Sequence, residues 1–128
     1  VFGDAEALGR LNAIVHPAVH TRSLERMQDA LATAPGTVVI YDVPLLVETR
    51  LEDPWDLIVV ADAPAAVRER RLVTDRGMSE ADAAARVASQ VSDERRRAIA
   101  DVIIDTTGTM ADTQRQVDEL WARVESLG

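Results

Sequence analysis

The sequence has 128 residues, 47% of them hydrophobic, and a net charge of −8 from 22 acidic residues and 14 arginines. Lysine and cysteine are both absent, which excludes a lysine Schiff base or general base, a G-x-x-x-x-G-K-[ST] phosphate loop within these residues, disulfides, thiolate nucleophiles and cysteine-ligated zinc. The length fits one globular domain, the acidic balance argues against a general nucleic-acid or anionic-membrane binder, and no apolar run reaches the ~20 residues that cross a bilayer.

In chain order, Pro17 is expected just inside a helix start. Leu24, Met27 and Leu31 continue that helix at core spacing until Ala34-Pro35-Gly36 stops it. Three short apolar runs follow along the chain: Val38-Val39-Ile40-Tyr41, Leu57-Ile58-Val59-Val60 and Val102-Ile103-Ile104. None alternates with polar residues, so each reads as a strand buried on both faces of a parallel sheet. After the second run, Asp62 or Ala63 is expected to cap a helix opened by Pro64. Ser79 with Asp82 signals a helix start for residues 80–90, and Ser92 caps a short helix carrying Arg95, Arg96 and Arg97. A last helix runs from about Ala111, with Val117, Leu120, Trp121, Val124 and Leu127 as its core stripe. Strands alternating with helices predict an α/β fold with a parallel sheet.

The chemistry is sought where such sheets bind ligands, beyond the carboxyl ends of the strands. Asp42, Asp62 and Asp105 fall there. An aspartate in that place holds the water shell of a Mg²⁺ or caps the next helix. Asp42 is the functional candidate, and Asp62 before Pro64 reads as a cap. Residues 68–97 hold eight arginines against six acids, in a chain that is otherwise acidic. This segment reads as helices inserted between the second and third strands. It has the layout of a lid whose arginines bind a small anionic ligand, or of a solvated surface ion-paired to Glu69, Asp75, Glu80 and Asp82. Spacing puts Arg86 and Gln90 on one helix face and Arg68 with Arg71 on another. Asp105-Thr106-Thr107-Gly108 either closes on a nucleotide base or turns the chain into the last helix. His16 before Pro17 is a ligand contact or a cap. A Ser-His-Asp hydrolase is disfavoured, because no G-x-S-x-G elbow accompanies the two histidines.

Four stretches taken together resemble one family. They are Leu11-Asn12-Ala13-Ile14-Val15-His16-Pro17, Asp42-Val43-Pro44-Leu45-Leu46-Val47-Glu48, Arg86 with Gln90, and Ala100-Asp101-Val102-Ile103-Ile104-Asp105. The order and spacing are similar to those of the dephospho-coenzyme A kinases. The resemblance implies a P-loop kinase-like parallel sheet with flanking helices and a helical lid, lacking its first strands. Residues 1–36 would be a coenzyme A-binding helical region, 37–67 and 98–128 the core, and 68–97 the lid of a single truncated kinase domain. It implies transfer of the ATP γ-phosphoryl group to the 3′-hydroxyl of dephospho-coenzyme A, with ATP and Mg²⁺, in the cytoplasm, without nucleic-acid or membrane partners. Asp42 would be catalytic, and His16, Pro17, Leu45 and Glu48 would meet the acceptor substrate. Arg71, Arg76, Arg86 and Gln90 would face ATP phosphates, with Thr106 and Gly108 beside the adenine.

Two positions depart from the family pattern. Thr106 stands where the family has Asn, and Asp75-Arg76 reverses the usual Arg-Asp. The family's phosphate loop and its catalytic aspartate are expected upstream of Val1, so the 128 residues alone are expected to be inactive. Alternatives from other classes are a non-catalytic α/β binding module and another P-loop small-molecule kinase, such as a nucleoside monophosphate kinase.

Overall fold

The carboxylate of Asp4 opens the first helix by accepting hydrogen bonds from the backbone N–H groups of Glu6 and Ala7, both at 3.0 Å. In this computed structural model, residues 4–43, 46–49 and 53–126 are described, apart from the side chains of Ala5, Glu48 and Thr49. The chain divides into two compact units, residues 1–42 and 43–128.

The first unit is dominated by α1, Ala5–Leu31, which carries Pro17 in its interior. The expected start at Pro17 is therefore corrected by three turns. Asp4 caps the chain earlier, and the Ala- and Leu-rich residues that follow propagate the helix. Pro17 has no N–H, so it withdraws one rung of the ladder, an interior defect that ordinarily costs ~3 kcal/mol. After α1 the chain turns through Gly36, whose φ of +76° lies in the left-handed region that favours glycine. The run Val38–Tyr41 forms no strand. A strand needs a ladder partner, and this unit offers only a helix among its described residues. Ile40 is 81% exposed, and the hydroxyls of Tyr41 and Ser23 lie 2.9 Å apart.

The second unit contains the sheet. After the short α2, Leu46–Thr49, come β1, Val59–Asp62, then α3, Ala65–Arg76, α4, Glu80–Ala88, and α5, Asp93–Ala98. The chain closes with β2, Val102–Asp105, and α6, Met110–Glu125. β1 and β2 pair in parallel, with Val59 opposite Val102 and Asp62 opposite Asp105. The α/β reading stands, and the helical insertion lies between the two strands.

Burial on both faces does not hold. Residues opposite each other in a parallel ladder share a face. Along β2 the face carrying Val102 and Ile104 is the more buried, whereas along β1 it is the face carrying Val60 and Asp62. α6 packs on β2 and α5 on β1, so each face is covered at one strand only. Val59 and Ile103 are left exposed.

The insertion follows its local signals closely. Ser79 accepts from the Asp82 N–H at 3.1 Å to start α4, and Ser92 accepts from the Arg95 N–H at 3.3 Å to start α5. Gly77 ends α3 in the left-handed region with φ +65°. Its N–H bonds the Val73 carbonyl, the 5→1 bond of an αL cap, and the Met78 N–H bonds the Leu72 carbonyl. α4 buries Ala83 and Val87, and α3 is the element it packs against. α3, however, has Pro64 at its N-cap with no side-chain cap. Asp62 is engaged elsewhere, which corrects the capping role expected of it.

At the end of the sheet where both strands begin, the Asp101 carboxylate accepts from the backbone N–H of Ile58 at 2.7 Å. The carbonyl of Ile58 accepts from the N–H groups of Asp101 and Val102 at 2.9 and 3.2 Å. The Ala100-Asp101 pair thus closes the start of the ladder.

Candidate functional site at the carboxyl ends of the strands

Asp62 and Asp105 are the last residues of their strands and lie opposite each other. The carbonyl of Asp62 accepts two bonds from Thr106, from its backbone N–H and from its hydroxyl, both at 2.9 Å. This ties the loop after β2 to the end of β1. Arg71, from the second turn of α3, donates to the Thr106 carbonyl and reaches its hydroxyl oxygen at 3.3 Å. Arg71 and Thr106, both among the residues expected to meet ATP, are therefore brought together.

Arg97 approaches from the last turn of α5. Its Nε and Nη2 donate to one oxygen of Asp62, Oδ2, at 2.9 and 2.6 Å. The other oxygen, Oδ1, is buried and has no hydrogen-bond partner among the described residues. The Asp62 side chain is 9% exposed and that of Arg97 46%. The hydrogen bond to Asp62, and then its negative charge, hold the Arg97 guanidinium above its ordinary pKa.

Asp105 accepts from the Thr107 backbone N–H at 2.8 Å. Hydrogen bonding from Thr107 holds its carboxyl below the ordinary value, with the Arg97 charge contributing less. Its backbone is held from the other side by Gln116, whose amide accepts from the Asp105 N–H at 2.9 Å and donates to the Asp105 carbonyl at 2.8 Å. Gly108 has a packing reason for its identity: a Cβ there would stand 3.0 Å from Oδ2 of Asp112.

Beside this end, Arg68 donates to the Ala63 carbonyl at 3.1 Å, to the Gln90 side chain and to Asp93, which also receives Arg96. Gln90 lies past the end of α4 at Ala88. It therefore does not share a helix face with Arg86 and is bound to Arg68 instead. Arg76 and Arg86 are exposed, and their side chains make no hydrogen bond or ion pair to any described residue.

The remaining candidates lie elsewhere. His16 and Pro17 are exposed in the interior of α1, and Asp42 is exposed in the segment after it. Leu45 lies outside the described residues. Glu48 belongs to α2, with its side chain outside them. Asp62, read from the sequence as a helix cap, and Arg97 and Arg68, given no binding role of their own, are the residues of this end that sequence reasoning missed. The available signal was an aspartate ending an apolar run and an arginine ending a triplet, and nothing local joins them across 35 positions.

A parallel sheet with guanidinium groups drawn from an inserted helical excursion to its strand ends is the architecture of a kinase-like α/β protein. The model of the family described as dephospho-CoA kinase matches residues 1–112. The chain is 53% identical over 122 residues to the dephospho-CoA kinase of Leifsonia xyli subsp. xyli, covering 95% of this chain and 62% of that protein. It is 46% identical over 125 residues to that of Thermobifida fusca, covering 98% and 61%. The crystal structure of TT1252 from Thermus thermophilus superposes with a TM-score of 0.72 at 30% identity, covering 96% of this chain and 62% of that one. The chain thus spans about three fifths of the length of these relatives. It belongs to the dephospho-CoA kinase family. No helix among the described residues is long and apolar enough to cross a membrane.

Proposed function

We propose that this chain serves the ATP-dependent phosphorylation of the ribose 3′-hydroxyl of dephospho-coenzyme A, giving coenzyme A and ADP. The observation that carries the reading is the family match over residues 1–112. In the transfer, the bond between the γ-phosphorus and the β–γ bridging oxygen breaks and a bond from the 3′-oxygen forms, while the hydroxyl proton passes to a base. The protein's part is positioning and charge neutralisation in a site that excludes water.

Arg71, Arg76, Arg86 and Gln90 are the phosphate-facing residues in this reading, and the insertion 68–97 is the lid. The anchoring of Arg71 on Thr106 at the strand end supports its part. With no side-chain partner among the described residues, Arg76 and Arg86 have donors available to a ligand. Thr106 and Gly108 lie by the adenine, His16, Pro17, Leu45 and Glu48 by the acceptor, and Asp42 assists the metal or the acceptor. Among the described residues no group of three or more His, Cys, Asp or Glu side chains could hold a metal. Mg²⁺ carried on the nucleotide phosphates keeps most of its waters and takes few protein ligands. The substrates are small molecules, the reaction is cytoplasmic, and neither nucleic acid nor membrane takes part.

A coupled ADP-release assay with ATP, Mg²⁺ and dephospho-coenzyme A tests the reading on the full-length gene product. Turnover is expected, and nucleoside monophosphates offered as acceptors should remain unmodified. Phosphorylation of a nucleoside monophosphate in place of dephospho-coenzyme A would overturn it. The 128 residues alone, which contain no lysine and so no phosphate-loop lysine, should show no turnover.

A further inference from the structure

We infer that Arg97 is a phosphate-binding residue of this site and that Asp62 is the positioning residue that aims it. The inference deepens the ATP reading above and rests on it.

The pairing geometry is the first ground. An Arg–carboxylate pair that serves stability alone gains most by matching two N–H groups to two oxygens. Here Nε and Nη2 both meet Oδ2 of Asp62, and Oδ1 is buried without a partner. Leaving a buried acceptor unmade is costly. The same arrangement leaves Nη1 of Arg97 with no protein partner among the described residues, on a side chain that is nearly half exposed. Asp62 therefore grips one edge of the guanidinium, and the other edge is available.

Location is the second. Asp62 anchors two arginines at the carboxyl ends of the strands, where parallel sheets bind ligands. Arg97 is held by its side chain. Arg71 is held through Thr106, whose N–H and hydroxyl both bond the Asp62 carbonyl. Two guanidinium groups fixed to one residue at a sheet edge suit an anion with several charged oxygens, such as a nucleoside polyphosphate. The acids near Arg97 are Asp62, Asp93 and Asp105. Asp93 already carries Arg68 and Arg96, and Asp105 is hydrogen-bonded by Thr107. Asp62 is the carboxylate that directs Arg97.

The test uses the full-length gene product and calorimetric binding of a non-hydrolysable ATP analogue, with adenosine as the phosphate-free control. R97Q is expected to weaken analogue binding by about tenfold, the scale of one charge-assisted hydrogen bond. Adenosine binding should not change. D62N, close in shape to the native residue, should weaken analogue binding in the wild-type background and have no further effect in the R97Q background. R97K should recover part of the affinity. A role confined to structure would lower the melting temperature of D62N and R97Q and leave both affinities unchanged, and that result would overturn the inference. If D62N does not fold, the R97Q and R97K affinities for analogue against adenosine decide alone.

Failure of the two readings is separable. Arg97-dependent analogue binding without phosphorylation of dephospho-coenzyme A would remove the proposed acceptor and leave the Arg97 assignment standing. Full turnover that R97Q does not alter would remove only the assignment.

Discussion

The two ends of the two-stranded sheet use the same residue type for different ends. Where the strands begin, the Asp101 carboxylate receives the Ile58 N–H and the Ile58 carbonyl receives two N–H groups in return. Its oxygen is spent on the chain's own backbone, and no arginine among the described residues is bound there. Where the strands finish, Asp62 binds Arg97 through one oxygen and leaves the other buried and unmet. Arg71 stands close by on Thr106. A fold that needed only to complete its ladder would be served by the first arrangement at both ends. Surplus donors and an unmatched acceptor at one end mark the place where the protein's polar groups are disposed toward something other than itself.

Substitutions that separate stability from ligand binding sharpen this contrast. The largest effect is expected from Arg71→Ala, which should raise the KM for ATP about a hundredfold, roughly 2.7 kcal/mol. Steady-state kinetics at saturating acceptor measure it, and an unchanged KM would break the assignment of that end to phosphate. Asp101→Ala should act in the opposite sense. The Ile58 N–H loses a charged acceptor, and stability to urea should fall by about 2 kcal/mol with ATP affinity unchanged in the folded protein. Gln116→Leu removes the amide that holds both backbone groups of Asp105. Its cost should be about 1.5 kcal/mol, read in the same urea titration.

The parts of the molecule written in local signals were legible in the sequence. Ser79 and Ser92 cap the helices they were expected to cap, because each acts on a backbone group only three residues away. The apolar runs gave both strands of the sheet. β1 starts at Val59, two residues later than its run, because Ile58 pairs with Asp101 at the entry to the ladder. Pro17 misled, since a proline reads as a helix start unless an earlier cap and good helix formers carry the helix through it. The run Val38–Tyr41 has strand composition without a strand partner, and pairing is not a local property. The stripe on α6 also overstated its burial. Trp121 is 44% exposed, and its indole N–H donates to Glu125 at 2.9 Å. Within the site, Arg71 and Thr106 were recognisable from the resemblance. The Asp62–Arg97 pair was not, because an ion pair formed across an entire inserted subdomain leaves no spacing rule to read.

The smallest expected effect tests the region just past the ligand end, where Thr109 and Asp112 form the capping box of α6. The Thr109 hydroxyl accepts from the Asp112 N–H at 3.2 Å and donates to Oδ2 of Asp112 at 2.7 Å, which also accepts from the Thr109 N–H at 3.0 Å. The Thr109 hydroxyl, then its backbone N–H, then Arg115 hold the Asp112 carboxyl below its ordinary value of 3.8. A carboxyl lowered in the folded state stabilises the fold fully above its unfolded pKa and loses that contribution as pH falls through the lowered value. Thr109→Ala should therefore cost about 1 kcal/mol near neutrality. The gap between wild type and Asp112→Asn should be constant from about pH 7 to about pH 5 and close in stronger acid. Thermal melts across that range measure both. A gap that persists unchanged once Asp112 is protonated would show that the box acts through shape alone. Because the box spends its donors and acceptors on the helix start, as Asp101 does on the ladder, neither substitution should change ATP affinity. A change in affinity would extend the ligand-facing region beyond Asp62, Thr106 and the two arginines, into the first turn of α6.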